Sequence, residues 1–256
     1  MPEAGSAAGA SPVRPGSPSG GLPPFAERVG HWSADATVFS DRVSALIASR
    51  QTSSPKRLEA PAPSQTQLGE ILSSASAAPD HGLLMPWRIV CIGEDQRAAL
   101  ATAFVLALLE RDPGATAEQL EAAGEKAFRA PFLALVVFSP GPESAGIRGI
   151  EQAVSMGCAI QNILLTAHAM GFGSGLSSGR GMTSEPIRTL FGLASIEEAA
   201  CFISIGTVVK SKAIRHRPDM QSFVSHLKAS ALTSSSPACD ADQTRLAPDA
   251  VAGRTL

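Results

Sequence analysis

The chain is short of the residue pairings that usually announce chemistry. Its four cysteines, Cys91, Cys158, Cys201 and Cys239, stand far apart. No CxxC pair or zinc-ligand spacing exists, so a metal centre is not expected. Three of them sit inside apolar runs, which predicts buried free thiols and suits a reducing compartment. Neither charge sign is in useful excess: Lys+Arg number 21 and Asp+Glu 23, a net charge of −2. Such a chain has no basic surplus to neutralise a phosphate backbone, and nucleic acid is not an expected partner. No apolar run is long enough to span a bilayer, so no membrane partner is expected. The opening residues lack the apolar core of a signal peptide, and the expected location is the cytoplasm. Gly-x-Ser-x-Gly, HExxH and the P-loop are all missing. Side-chain catalysis therefore finds little support, and no catalytic residue is expected.

What is present is enough for one sizeable core. The 256 residues are 44% hydrophobic, which allows one or two domains. Residues 1–36 are rich in Gly, Pro, Ser and Ala and read as a disordered N-terminal arm; residues 229–256 read as a disordered C-terminal tail. The folded part is expected over 37–228 as a single domain. Within it the spacing of apolar residues predicts helices ending near Ser49, over 94–111, over 117–129 and over 148–170. A further helix is expected after Ser64, whose pairing with Gln67 suggests a capping box. Strands are expected over 88–92, 132–139 and 200–209, with a short helix capped by Thr183 running through Leu190. Helices outnumber strands without strict alternation, which favours an α+β class. The 148–170 helix is apolar nearly all round and calls for cover from a second helix or a second subunit.

Three joints between these elements invite chemistry. In SRQTSSPKRL, residues 49–58, Arg50, Lys56 and Arg57 supply cations and Thr52, Ser53 and Ser54 hydroxyls, a set suited to one phosphate. A solvated helix end explains the same residues and is favoured locally. In GFGSG, residues 171–175, the glycines follow a helix rather than a strand. They read as a helix stop and turn in preference to a nucleotide loop; a cofactor there would meet backbone amides and the hydroxyls of Ser177 and Ser178. In APDHGLLMPWR, His81 could be a ligand, acid or base, or simply cap a loop, and Asp80 beside it does not make a dyad. Trp87, one of only two tryptophans, is expected to anchor the strand behind it.

Taken in order, SRQTSSPKRLEAPAPSQTQLGEIL, APDHGLLMPWRIVCI, EQAVSMGCAIQNILLTAHAMGFGSGLSSG and FISIGTV resemble the nitroreductase family, in its short single-domain branch, over about residues 43–224. The resemblance implies an α+β fold with a central, mostly antiparallel sheet flanked by helices, built as an intertwined homodimer with FMN at the subunit interface. It implies an FMN-dependent oxidoreductase in which NADH or NADPH reduces the flavin, which then reduces a small-molecule acceptor such as a nitroaromatic or quinone. A flavin-binding storage or regulatory protein without significant turnover is the alternative. The cofactor would carry the chemistry. The implied FMN contacts are Arg50, Gln51 and Thr52, then His81 from the other subunit, then Leu176, Ser177 and Ser178. The motif could also be registered one residue earlier, on Ser49, Arg50 and Gln51. Thr166, Ala167, His168, Ala169, Met170 and Gly171 match a stretch linked to the nicotinamide nucleotide; Lys210, Arg215 and Arg217 could assist with phosphate, and a solvated basic tail explains them equally well. Gln51 and Thr52 stand where the family has Arg and Ser, Met85 where many relatives have Gln, and Leu176-Ser177 where short relatives can have Trp-Arg.

Overall fold

A computed structural model describes residues 36–210 and 216–227. The chain divides into two units at Ala213. The second contributes to the described residues only a stretch with one 3-10 turn, Met220–Ser222. The arm expected over 1–36 and the tail over 229–256 lie, apart from residue 36, outside the described residues.

The first unit is organised by β5 (Glu198–Val208), the longest strand. It pairs on one side with β3 (Phe132–Phe138), which in turn pairs with the edge strand β2 (Trp87–Cys91). On its other side β5 pairs first with β4 (Gly173–Ser177) and then with the two-residue β1 (Leu58–Glu59). All these ladders are antiparallel, so the α+β class with an antiparallel sheet holds. β3 is apolar throughout because both its faces are covered. Phe132, Ala134 and Val136 point to one core, and Leu133, Leu135 and Val137 to the other. The first core is closed by α2 (Gln65–Ser73) and α5 (Gly149–Ala169). The second is closed by α3 (Arg97–Arg111), the 3-10 turn Glu125–Phe128 and α6 (Glu185–Leu190), while α4 (Ala117–Gly124) packs on α3.

Local signals in the sequence are honoured at most ends. Ser64 accepts from the Gln67 amide and Gln67 bonds back to the Ser64 amide, closing the expected capping box. Gly171, at φ +85°, stops α5 in the left-handed conformation that favours glycine. Trp87 is buried in the first core. At α6 the cap position belongs to Ser184, not Thr183, and neither hydroxyl caps the helix. Each bonds backward to a carbonyl of the preceding turn. Of the three cysteines expected to be buried only Cys201 is; Cys91 is exposed because it ends an edge strand. Burial pushes the Cys201 thiol up to about 11.

The largest departure is β4. Its glycines read as a turn, yet they form a strand against β5. A Cβ on Gly173 would collide with Val208 and come within 2.9 Å of Leu58, and one on Gly175 would collide with the Ser53 carbonyl. Glycine is required here by close approach of neighbouring chain, not by a bend. α5 is also less covered than its composition suggests. Ile150 is 63% exposed and Val154 60%, a bare apolar stripe along its N-terminal half. On α1 (Ala36–Ser49), Val38, Phe39 and Ile47 are exposed as well.

Candidate functional site

The segment leaving α1 runs alongside β4. Ser53 N donates to Ser174 O at 2.9 Å, and Thr52 bridges Ser174 in a parallel sense. This places the expected 50–52 motif beside the expected 176–178 segment, which are more than a hundred residues apart in sequence. The Ser49 hydroxyl and His168 Nε2 lie 2.8 Å apart, tying the end of α1 to the last turn of α5.

Two cavities flank this seam. One, of about 300 Å³, is lined by Gln51, Thr52, Ser53, Arg57, His168 and Lys210 among others, and by no carboxylate. Arg50 does not line it, although both its neighbours Ser49 and Gln51 do. Arg57 and Lys210 bring positive charge to this cavity. Of the nicotinamide stretch, His168 and Gly171 face this cavity. Ala167 is buried in the core, Met170 packs against it, Ala169 is exposed and Thr166 is half-buried. Arg215 lies outside the described residues, and Arg217 belongs to the second unit.

The second cavity, of about 370 Å³, opens at the end of β4 where Ser177 and Ser178 line it together with Ser54 and Lys56. Leu176 points to the opposite face of the strand and is 42% exposed. The floor is the sheet itself. Antiparallel pairing sets Leu133, Ser204 and Gly175 in one row and Leu135, Phe202 and Ser177 in the next. Ser204 is fully buried and its hydroxyl has no hydrogen-bond partner. Its neighbour across the ladder is a glycine, which offers no side-chain partner. Sequence reasoning did not single out Ser204, because its spacing is that of any inward residue on β5.

His81 stands apart from both cavities. Its Nδ1 lies 3.1 Å from Glu151 Oε2 in the first turn of α5, and Glu151 also accepts from Arg148 Nε at 2.8 Å. Arg148 first, and then His81, hold the Glu151 carboxyl below the usual range. Asp80 serves the loop, accepting from the Met85 amide at 2.6 Å. His81 is thus tied to one end of α5 and Ser49 to the other. Residues 151 and 168 are separated by roughly 25 Å at 1.5 Å rise per residue. One chain cannot bring His81 to the cavity that holds Gln51 and Thr52.

Behind the site, Arg88 Nε and Nη2 reach the two carboxylate oxygens of Glu197 at 2.7 and 2.8 Å. This fork joins β2 to the turn before β5. The Arg88 hydrogen bonds are the main reason that the Glu197 carboxyl falls to about 2; the Ala194 amide and Ser139 add to the effect.

Known proteins resemble this chain over most of its described length. The model of the nitroreductase family matches residues 47–207. A protein of Haemophilus influenzae named "Putative NAD(P)H nitroreductase" is 33% identical over 183 residues, 71% of this chain and 97% of that one. Among solved structures, a nitroreductase-like family protein from Bacillus cereus superposes with a TM-score of 0.62 at 21% identity, over 73% of this chain and 96% of its own. The NADPH:FMN oxidoreductase from Vibrio harveyi, solved with NAD+, superposes with a TM-score of 0.55 at 17% identity, over 72% of this chain and 76% of its own.

Proposed function

This chain belongs to the nitroreductase family, and on that premise we propose that it is an FMN-dependent NAD(P)H oxidoreductase acting on a small-molecule acceptor, a quinone or nitroaromatic. The observation that carries the reading is the carboxylate-free cavity at the end of α1. Arg57 and Lys210 line it with the hydroxyl- and amide-bearing Gln51, Thr52 and Ser53, a donor set that fits a phosphomonoester. These residues would hold the FMN phosphate, and the Ser177 and Ser178 hydroxyls at the far end of the seam would face its ring. When bound, FMN supplies two-electron chemistry, accepting hydride from NAD(P)H and yielding electrons to the acceptor.

The chain's own part is binding, orientation and electrostatics. Thr52 and Ser53 are fixed to β4 by the bridge to Ser174, so donors at that end are preorganised rather than recruited. The second cavity, with its apolar floor, gives a flat acceptor a site at that end of the seam. A second copy of the chain would complete the site. His81 is out of reach of the phosphate cavity within one chain, while the exposed apolar stripe of Ile150 and Val154 lies on the same end of α5 as His81. Pairing two chains through that stripe would cover it and offer His81 to the neighbouring cavity.

The test is an anaerobic absorbance spectrum of the purified protein, before and after NADH or NADPH. A flavin band that bleaches supports the oxidoreductase. A band that persists with either nucleotide favours a flavin store, and a protein that takes up no FMN even after soaking overturns the reading.

A further inference from the structure

The second cavity has a charge distribution that the family assignment does not call for. Lys56, Arg111, Lys126, Arg129 and Arg180 all line it, and no Asp or Glu does. Five of the chain's 21 basic residues therefore gather on one cavity of a protein whose net charge is −2. They come from four separate places: the turn after α1, the end of α3, the turn after α4 and the turn after β4. Of the five, only Arg129 has an ion-pair partner among the described residues, Glu125 at 3.5 Å. The rim is also held in place. Arg97, itself buried, donates to the carbonyls of Ala127 (2.7 Å) and Pro131 (3.3 Å), and so fixes to α3 the turn that carries Lys126 and Arg129.

Beneath this rim the walls are apolar. Phe104 meets Phe202 edge-to-face with centroids 5.4 Å apart, and Leu108, Leu133 and Met182 line the cavity beside them. Set into this floor is the unpartnered, fully buried hydroxyl of Ser204. An unpaired polar atom in such a place is costly unless a ligand or water satisfies it. Apolar floor, single buried hydroxyl and acid-free cationic rim together describe a ligand with a flat aromatic body, a polar substituent at its inner edge and an anionic group at its outer edge.

We propose that this cavity selects an anionic aromatic acceptor: a quinone or nitroaromatic that carries a carboxylate, sulfonate or phosphate, with that group held by the rim and its reducible oxygen directed towards Ser204. The inference rests on the function proposed above, whose acceptor it specifies. For a quinone carboxylate the reaction balances as quinone, NAD(P)H and one proton giving hydroquinone and NAD(P)+. Two electrons and one proton arrive as hydride, and the second proton comes from solvent.

The experiment uses the FMN-loaded enzyme and two acceptors, neutral menadione and anionic 1,2-naphthoquinone-4-sulfonate. The expected result is a kcat/KM for the sulfonate that falls with added salt while that of menadione does not. Arg111→Gln with Lys126→Gln should lower the sulfonate-to-menadione ratio of kcat/KM by about tenfold, the size of one charge-assisted contact. The same double variant should weaken binding of 2-naphthalenesulfonate, which cannot be reduced, as measured by calorimetry. Ser204→Ala should keep its melting temperature yet reduce turnover of both quinones. A ratio unchanged in the double variant, with flavin retained and menadione reduced, overturns the anionic acceptor and leaves the oxidoreductase standing. A rise in KM for NADPH without any change for the sulfonate would assign the rim to the dinucleotide phosphate and equally overturn the proposal. Failure of the parent reading looks different: no flavin, or flavin that neither nucleotide reduces.

Discussion

Gly175→Ala is the substitution that bears most directly on the seam between the α1 exit and β4. A methyl at this position would meet the carbonyl oxygen of Ser53 far inside van der Waals contact, with the Ser53 carbonyl carbon at 3.2 Å. The obstacle is backbone, so no rotamer change relieves it. It is also pinned, because the neighbouring Ser53 amide bonds Ser174 O at 2.9 Å. The methyl must therefore push the 52–54 segment off the strand. Overpacking of this kind costs about 1–3 kcal/mol, and losing one backbone hydrogen bond adds about 1 kcal/mol. For a domain of this size each kcal/mol moves Tm by about 2–4 °C, so a fall of roughly 5–15 °C is expected. Because Thr52 and Ser53 line the cavity proposed for the FMN phosphate, FMN affinity should fall at least about tenfold, one charge-assisted contact or more. Gly69→Ala is the matched control. Gly69 lies in α2, is exposed, and has nothing within 4 Å of its added Cβ. There alanine should stabilise by about 0.5–1 kcal/mol through helix propensity and the unfolded state. Calorimetric melting and flavin titration of both variants read the two effects. If Gly175→Ala melts with the parent protein and keeps its flavin, Ser53 does not cover Gly175 and the steric reasoning is wrong. If Gly69→Ala falls as far as Gly175→Ala, the difference is not steric at all.

Other consequences can be measured separately. Because the Glu197 carboxyl titrates near 2 in the folded chain, below its unfolded value, the stability it brings is present above pH about 4.5 and is lost as pH falls towards 2. The loss should be about 2–3 kcal/mol, allowing for the partial exposure of Arg88, and Glu197→Gln should be less stable at pH 7 with a shallower acid limb in urea titrations. Val154→Asp places a charge on the exposed stripe of α5; sedimentation should show it as a monomer with at least about tenfold weaker FMN binding. A mixed dimer with Arg57→Ala on one chain and His81→Ala on the other should retain one sound site of two. Two equally impaired sites would mean that His81 serves its own chain. Thiol titration should label Cys91 in the native protein, and Cys201, buried with its thiol raised to about 11, only after denaturation.

The sequence by itself determined the elements whose signals are local. The Ser64–Gln67 capping box, the stop at Gly171, the unbroken apolar run of β3 and the burial of Trp87 each depend on a few neighbouring residues. Each appears in the structure where the local chemistry puts it. The order of four short motifs also sufficed for the family. Tertiary structure alone decided the rest. GFGSG reads as a helix stop and turn, which holds at Gly171, but pairing with β5 makes a strand from Gly173 onward, with Ser53 and Val208 too close for any side chain there. Cys91 reads as buried because its neighbours are apolar, but an edge strand leaves its last residue in water. The five cations around the second cavity are scattered from position 56 to position 180, and only Lys56 stands out in the sequence, as part of a phosphate set rather than of this cavity. Ser204 has the spacing of any inward residue on its strand. A rim and a floor are properties of distances between segments, and period and composition report only distances along the chain.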